Sequence, residues 1–258
     1  MKIDVFTLCW NEMDVLPWVV DYWQRYASHV TVFDNGSTDG SIWFLERFDW
    51  ISVVPFESDG FNDTVNQRIK NECWKGSDAD FVVVCDMDEC LLAKDIKGVF
   101  RRMKEDGATI CEPQWYELMS DVFPEYKKGM LMHEAYPLCR HVQNGAKAIV
   151  FDPKEIEEIN YTPGAHACYP IGNVRRYEGG DLFTLHINHN LSLEYKLVKY
   201  RELNDRLSEE NRRKKHGIHY AFSEAVLARA WEEDMKHTVN LNDIINGESS
   251  SDGLVPSR

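Results

Sequence analysis

The sequence predicts an α/β fold with a largely parallel sheet, and three observations lead to this prediction. Short apolar runs rich in strand-forming residues alternate with amphipathic, helix-like segments over residues 1–112. The run at 81–85 is almost continuously apolar, as expected of a strand buried at the centre of a parallel sheet. The clearest turn signal, NGSTDG at 35–40, comes directly after a predicted strand.

The elements of the first half follow from these patterns. Strands are predicted at 2–9, 29–34, 51–55, 81–85 and 108–112. Helices are predicted at 11–27, at 41–48, from a cap at Asn62 or Asp63 onward, and at 95–106. Pro17 is compatible with the first of these helices only if it lies in the first turn.

The pattern weakens after residue 112. Residues 113–180 are rich in proline, glycine, aromatic and polar residues. Strands are predicted at 147–151 and 182–188, and helices at 192–207 and 223–238. Residues 209–215 are predicted to be a charged, solvated stretch.

The charge balance limits the classes of partner. The 258 residues include 29 Lys and Arg against 43 Asp and Glu, which gives a net charge of −14. This balance argues against binding along a nucleic-acid backbone or docking on an anionic membrane. It is compatible with a site that holds a divalent cation.

The cellular location is predicted to be the cytosol. No apolar run reaches the roughly 18 residues that a membrane span requires, and the N-terminus enters a strand pattern without a secretory signal. The seven cysteines form no CxxC pair and are expected to be free thiols in a reducing compartment. A peripheral position at the inner face of the membrane is the alternative.

The run DMDE at 86–89 carries the most chemistry. It follows the predicted central strand, and ligands of open α/β sheets bind outside the carboxyl ends of strands. Asp86 and Asp88 are spaced so that both can reach one hard cation, and Mg²⁺ or Mn²⁺ fills its other positions with water and phosphate oxygens. The alternative is an acidic loop or a helix cap.

Two other phosphate-binding classes lack their motifs. The sequence contains no GxxxxGK[ST] run, and no GxGxxG run follows the first predicted strand. Both a P-loop ATPase and a dinucleotide-dependent dehydrogenase are therefore disfavoured.

Three runs, taken in order, resemble the family 2 glycosyltransferases with the GT-A fold: TLCWNE at 7–12, FDNGSTDG at 33–40 and VCDMDE at 84–89. The resemblance is strongest to the branch whose first strand ends in Asn-Glu and whose metal motif reads DxDE. It implies a GT-A-like, Rossmann-like mixed sheet flanked by helices, with C-terminal helices. It also implies a nucleoside-diphosphate sugar as donor, usually a UDP-sugar, a Mn²⁺ or Mg²⁺ ion, and transfer by inversion.

The resemblance also implies roles for individual residues near the donor. The residues expected to border the nucleotide pocket are Thr7, Asn11 and Glu12. Asp34 is expected to face the base or ribose, or else to cap its turn. Asp86 and Asp88 are expected at the ribose and at the metal-bound diphosphate.

Basic residues and histidines supply further candidates. Arg68 and Lys70, on the helix that begins near 64, are in reach of donor phosphates or are solvated. His186 and His189 flank a predicted strand end, and the resemblance implies that a late histidine completes the metal shell. The alternative for each is a hydrogen-bonded structural histidine. An imidazole ligand would favour Mn²⁺ over Mg²⁺.

Inverting transfer requires a base that removes the proton of the acceptor hydroxyl. Glu117 and Asp121 lie in the aromatic run that follows the metal motif, and Asp121 is the preferred candidate. Each is alternatively a surface charge.

The sequence therefore predicts a metal-dependent glycosyltransferase acting on a glycan, lipid-linked or small-molecule acceptor. Residues 1–246 are predicted to form one domain, with a nucleotide-binding half at 1–112 and an acceptor half with C-terminal helices at 113–246. Residues 247–258 are predicted to be a disordered or expression-derived tail. Two alternatives remain: a nucleotidyltransferase of similar topology and a non-catalytic carbohydrate-binding protein.

Overall fold

The computed structural model of the protein describes residues 1–142, 147–187 and 189–247, so residues 248–258 of the predicted tail lie outside the described part. The strands of the described residues are β1 (Ile3–Cys9), β2 (His29–Asp34), β3 (Ile51–Pro55), β4 (Phe81–Asp86), β5 (Glu89–Leu92), β6 (Ile110–Cys111), β7 (Gln114–Leu118), β8 (Leu138–His141), β9 (Val150–Phe151), β10 (Ile156–Glu158), β11 (Ile171–Gly172), β12 (Phe183–His186) and β13 (Val239–Asn240). The α-helices are α1 (Leu16–Trp23), α2 (Ser41–Leu45), α3 (Asp63–Glu72), α4 (Ile96–Glu105), α5 (Met132–Ala135), α6 (Leu193–Arg206), α7 (Glu209–Lys214), α8 (Glu224–Lys236) and α9 (Leu241–Asn246).

The main sheet contains six strands in the spatial order β3-β2-β1-β4-β9-β6. Strand β1 is parallel to β2 and β4, and β2 is parallel to β3. Strand β9 is antiparallel to both β4 and β6. The predicted α/β fold, a mixed sheet flanked by helices, is therefore confirmed.

A second sheet contains five strands in the order β13-β8-β7-β12-β5. Strand β12 is parallel to β7 and antiparallel to β5. The sequence predicted β12 but not the other four strands, which are short and take their pairing from distant segments. Because β5 begins only three residues after β4 ends, the DMDE run lies where the two sheets meet.

Helix boundaries agree with the caps that the sequence contains. The carbonyl oxygen of the Asn62 side chain accepts from the backbone N–H groups of Thr64 and Val65, so Asn62 caps α3 as predicted. Helix α1 begins later than predicted, at Leu16, and Pro17 lies in its first turn as required. The stretch predicted to be solvated at 209–215 is mostly the helix α7.

Strand β4 is buried on both faces, as its apolar sequence predicted. Val83 and Cys85 belong to a large apolar cluster that includes residues from both predicted halves of the chain. Val82 and Val84, which point to the opposite face, belong to a second cluster. Among the described residues, no helix combines the length and the apolar character needed to cross a membrane.

Candidate functional site

The carboxyl ends of β1 and β4 open into a cleft of about 700 Å³. Leu8 pairs with Asp86 in the register of these strands, so the residues that follow both strands meet at one edge of the sheet. Helix α3, the turn at 163–166 and residues between 199 and 220 contribute further walls. Both the volume and the position are typical of small-molecule sites in α/β proteins.

Two buried lysines contact Asp86 inside the cleft. The Nζ atom of Lys70, on α3, donates to Oδ1 of Asp86 at 2.6 Å, and the Nζ atom of Lys147 lies 3.5 Å from Oδ2. Lys147 also donates to Oε1 of Glu89 at 2.5 Å. Burial alone would raise the pKa of Asp86, but the two ammonium groups outweigh burial and hold it below its usual value.

Asp88 faces His186 at the end of β12. The Nε2 atom of His186 lies 3.3 Å from Oδ2 of Asp88, and Nδ1 lies 3.8 Å from Oε1 of Glu117. Burial alone would lower the pKa of His186, but these carboxylates outweigh burial and raise the pKa to about 10. Glu117 is held in turn by Arg140, whose guanidinium donates to Oε2 at 2.5 Å, and by Asn190, whose amide donates to the same atom at 3.1 Å.

His189 lies in the turn that follows β12 and also lines the cleft. Its ring centre is 5.9 Å from that of His186, and its Nε2 atom is 3.3 Å from the hydroxyl of Tyr200. Burial and the nearby charge of His186 lower the pKa of His189 to about 3. Its imidazole is therefore neutral at neutral pH.

The segment after β1 is hydrogen-bonded to helix α6. Lys199 donates to the backbone carbonyl of Asn11 at 2.8 Å and forms an ion pair with Glu12 at 3.7 Å. Glu12 lines the cleft, and burial raises its pKa against the opposing charge of Lys199. The Asn11 side chain instead accepts from the backbone N–H of Thr38 at 2.7 Å, which holds the turn after β2.

A flat surface lies beside this segment. The guanidinium carbon of Arg206 is 4.0 Å from the centre of the Trp10 ring, and both side chains line the cleft. Arg206 also donates to the backbone carbonyl of Asn35 at 2.8 Å. The contact of a guanidinium with an indole ring provides a surface on which a planar ligand can stack.

Five of the predicted site residues are not among the described residues that line the cleft: Thr7, Asn11, Asp34, Arg68 and Asp121. Thr7 is buried within β1, and Asp121 is exposed after β7. The Asp34 carboxylate accepts from the backbone N–H groups of Gly36 and Ser37. Arg68 is exposed because it precedes Lys70 by two positions, a rotation of about 200° around the helix. The roles predicted for these residues remain predictions.

At one place in the cleft, the side-chain atoms are suited to coordinate a divalent ion. No group of three or more His, Cys, Asp and Glu side chains in the described ranges is arranged to hold a metal ion. Asp88 and His186 are nevertheless compatible with one, because their donor atoms, 3.3 Å apart, are close to the roughly 3.0 Å that separates adjacent ligands of an octahedral ion. Such an ion takes its remaining ligands from water and phosphate. The Asp86 carboxylate, by contrast, is already engaged by lysines.

The cleft residues that the sequence analysis missed include the basic residues Lys147, Lys199 and Arg206. Each reaches the site through a contact between distant parts of the chain, and none lies in a recognisable motif. Trp10 lies within the run TLCWNE, so an aromatic ring at the end of β1 was an available signal.

Comparisons with known proteins give limited similarity. No protein-family model matches the chain, and no curated protein matches its sequence. Similar solved structures include S. aureus TarS 1–349, at 13% identity and a TM-score of 0.41, covering 87% of this chain and 73% of that chain. The same fragment in complex with UDP gives 12% identity, a TM-score of 0.44, and coverage of 87% and 73%. Its complex with UDP-GlcNAc gives 12%, 0.40, and coverage of 86% and 72%. Similarity at this level carries neither a substrate nor a mechanism over to this chain.

Proposed function

We propose that the protein is a glycosyltransferase that moves a sugar from a nucleoside-diphosphate sugar, in the first instance a UDP-sugar, to an acceptor hydroxyl. The proposal includes a Mn²⁺ or Mg²⁺ ion and inversion at the transferred carbon. The observation that carries it is the pairing of Asp88 with His186 beside the carboxyl end of β4, inside a cleft large enough for a nucleotide sugar.

The nucleoside would be bound by the first half of the chain. The ring of Trp10, backed by Arg206, offers a stacking surface for the base. The side chain of Asp86 is 38% exposed, so its carboxylate can accept hydrogen bonds from the ribose hydroxyls. Lys199 and Arg206 hold the segments that carry these groups and thereby fix the width of the cleft.

Asp88 and His186 would hold the ion. When bound, a divalent cation neutralises the charge that develops on the departing diphosphate. His186 would bind it as a neutral imidazole and must first give up the proton that Asp88 and Glu117 now stabilise. Arg140 and Asn190 keep Glu117 in position behind His186, which fixes the orientation of the imidazole.

A carboxylate is proposed to take the proton of the acceptor hydroxyl. Of the two predicted bases, Glu117 has the better position, because it lines the cleft close to His186, whereas Asp121 is exposed to solvent. Its contacts with His186 and Arg140 outweigh burial and hold the pKa of Glu117 below its usual value, so it accepts a proton less readily than a free carboxylate. A base must lie within hydrogen-bond reach of the proton that it removes.

The test is a donor screen with a matched variant. Release of the nucleoside diphosphate is measured from UDP-, GDP- and CDP-sugars with Mn²⁺ and a mixed acceptor panel. We expect release from one donor class, and a loss of about 100-fold or more in Asp88→Asn without loss of folding. Asp78→Asn, at an exposed carboxylate outside the cleft, is the control.

Two results would overturn the proposal. Release of pyrophosphate from a nucleoside triphosphate would identify a nucleotidyltransferase. Binding of free sugar without turnover of any donor would identify a carbohydrate-binding protein.

A further inference from the structure

We propose that Lys70 and Lys147 form a diphosphate-binding pair, which lets the cleft bind a nucleoside diphosphate without a divalent cation. This inference rests on the proposed function, because it concerns the donor nucleotide of the same cleft. It adds two residues to the site and separates nucleotide binding from metal binding.

Both lysines are buried at the ligand-binding edge of the sheet. Lys70 is 4% exposed and Lys147 is 6% exposed, yet both line the cleft. They come from different elements, α3 and the segment before β9, and meet at Asp86. Burying an ammonium group is costly unless the group is paired, and the carboxylates of Asp86 and Glu89 provide that pairing for both lysines at the cleft.

The partners of the two lysines differ in their access to the cleft. Glu89 is 1% exposed and pairs with Lys147 in the interior. Asp86 has a side chain that is 38% exposed and is contacted by both lysines. Each ammonium group has three N–H donors, and within the described residues the hydrogen bonds of the Lys70 ammonium go to Asp86 alone. Lys70 therefore retains two N–H groups for a ligand in the cleft. Lys147, which donates to Asp86 and Glu89 and has its ammonium 4.7 Å from the centre of the Trp115 ring, retains at most one.

The covalent structure of the ligand links this capacity to a diphosphate. In a nucleoside diphosphate, a single methylene separates the ribose ring from the first phosphate. A ribose bound at Asp86 therefore brings its diphosphate close to the lysines that contact Asp86. The two lysine charges are balanced by the carboxylates of Asp86 and Glu89. When the Asp86 carboxylate turns to bind the ribose, the two ammonium groups become available to the phosphates. Lysine binds phosphate as a compact point charge.

The test is UDP binding measured by titration calorimetry in EDTA and, separately, with Mn²⁺. We expect wild-type protein to bind UDP in EDTA, and Lys70→Met and Lys147→Met each to weaken that binding at least tenfold. Lys75→Met is the matched control, because Lys75 follows α3, is exposed, and pairs with Glu72 and Glu158 outside the cleft. The Lys75→Met variant is expected to bind UDP as tightly as the wild-type protein does.

A second measurement needs no variant, since a methionine in place of a buried lysine can prevent folding. Wild-type protein in EDTA is titrated with UDP, UMP and uridine. We expect UDP to bind at least tenfold more tightly than uridine, with UMP between them. Equal affinities for the three ligands would overturn the inference.

The other outcomes separate the two proposals. Binding of UDP with Mn²⁺ but not in EDTA overturns the lysine pair and leaves the proposed function standing. Unchanged binding in both folded lysine variants overturns the pair as well. Failure to bind any nucleoside diphosphate under either condition, together with no donor turnover, overturns the proposed function.

Discussion

The Nε2 atom of His186 lies 3.3 Å from Oδ2 of Asp88, although the two residues belong to different parts of the chain. The backbone fixes this pairing. The N–H of Ile187 donates to the carbonyl of Asp88 at 2.8 Å, and His186 pairs with Glu89 in the register of β12 and β5. The second sheet thus places His186 beside the DMDE run that follows β4 of the first sheet.

The Asp88–His186 pair is expected to bind Mn²⁺. His186→Gln and Asp88→Asn should each weaken Mn²⁺ binding about 10- to 100-fold, because each removes one of two protein ligands. The measurement is the free Mn²⁺ signal in electron paramagnetic resonance titrations. His237→Gln, at an exposed histidine that follows the last residue of α8 and does not line the cleft, is the control. Equal affinity in His186→Gln and His237→Gln would remove His186 from the ligand set.

Glu117 and Asp121 are expected to differ in their effect on turnover. Glu117→Gln should lower kcat about 100-fold, because Glu117 contacts His186 and is fixed by Arg140. Asp121→Asn should stay within about twofold of wild type, because the side chain is exposed. The kcat values of the two variants are compared at saturating donor. The reverse order would restore Asp121 as the preferred base.

The cap of α3 is expected to contribute to stability. Asn62→Ala should lower the free energy of unfolding by about 1 kcal/mol, because two backbone N–H groups lose their acceptor. Asn62→Ser, which keeps a side-chain oxygen at the cap, should lose less. Urea unfolding of both variants measures the difference, and an equal loss in both would show that capping is not the cause.

The free energy of unfolding is expected to decrease as the pH is lowered, because His133 titrates differently in the folded and unfolded chain. This histidine is buried against the Tyr22 hydroxyl, 2.7 Å from Nδ1, and burial lowers its pKa from 6.5 to about 4. Between these values the unfolded chain binds a proton that the folded chain does not. The contribution is therefore fully present above pH 6.5 and falls by about 3 kcal/mol as the pH approaches 4.

The measurement for His133 is the free energy of unfolding between pH 4 and 7. His133→Gln removes the titrating group and should flatten the curve by that amount. An unchanged slope in the variant would assign the pH dependence to other groups.

Gly60 is expected to tolerate no side chain. Its φ is +92°, and a Cβ atom there would lie 2.2 Å from the carbonyl oxygen of Arg206. Gly60→Ala should destabilise the protein by about 1–3 kcal/mol and weaken nucleotide binding, because α6 must shift. Gly76→Ala shares the positive φ but meets no atom within 4 Å, so it measures backbone strain alone. Thermal unfolding and UDP titration of both variants separate the two effects.

The parts of the fold that could be predicted are those encoded locally. Strands β1 to β4 have continuous or alternating apolar sequences, Asn62 caps α3 as its position suggested, and α6 lies within the predicted range 192–207. Four of the five strands of the second sheet were not predicted, because strands such as β7 and β8 are short and partly polar. Their pairing depends on segments that are far apart in the sequence.

The candidate site divides in the same way. Asp88 and Glu12 lie in local motifs and line the cleft. Lys147 and Arg206 lie in no motif, and only tertiary packing brings them to Asp86 and Trp10. Arg68 and Lys70 are two positions apart on one helix, and burial alone distinguishes them.

The attachment of α6 has a consequence for how the protein is made. Lys199 bonds to a residue 188 positions earlier in the chain, and Arg206 bonds to one 171 positions earlier. Contacts of such sequence separation form slowly, since the intervening chain must first be ordered. A growing polypeptide therefore has no complete cleft until the lining residues up to 220 have been synthesised and have docked. Nucleotide binding would therefore depend on these late residues, and a bound nucleotide would stabilise the folded form in which they have docked.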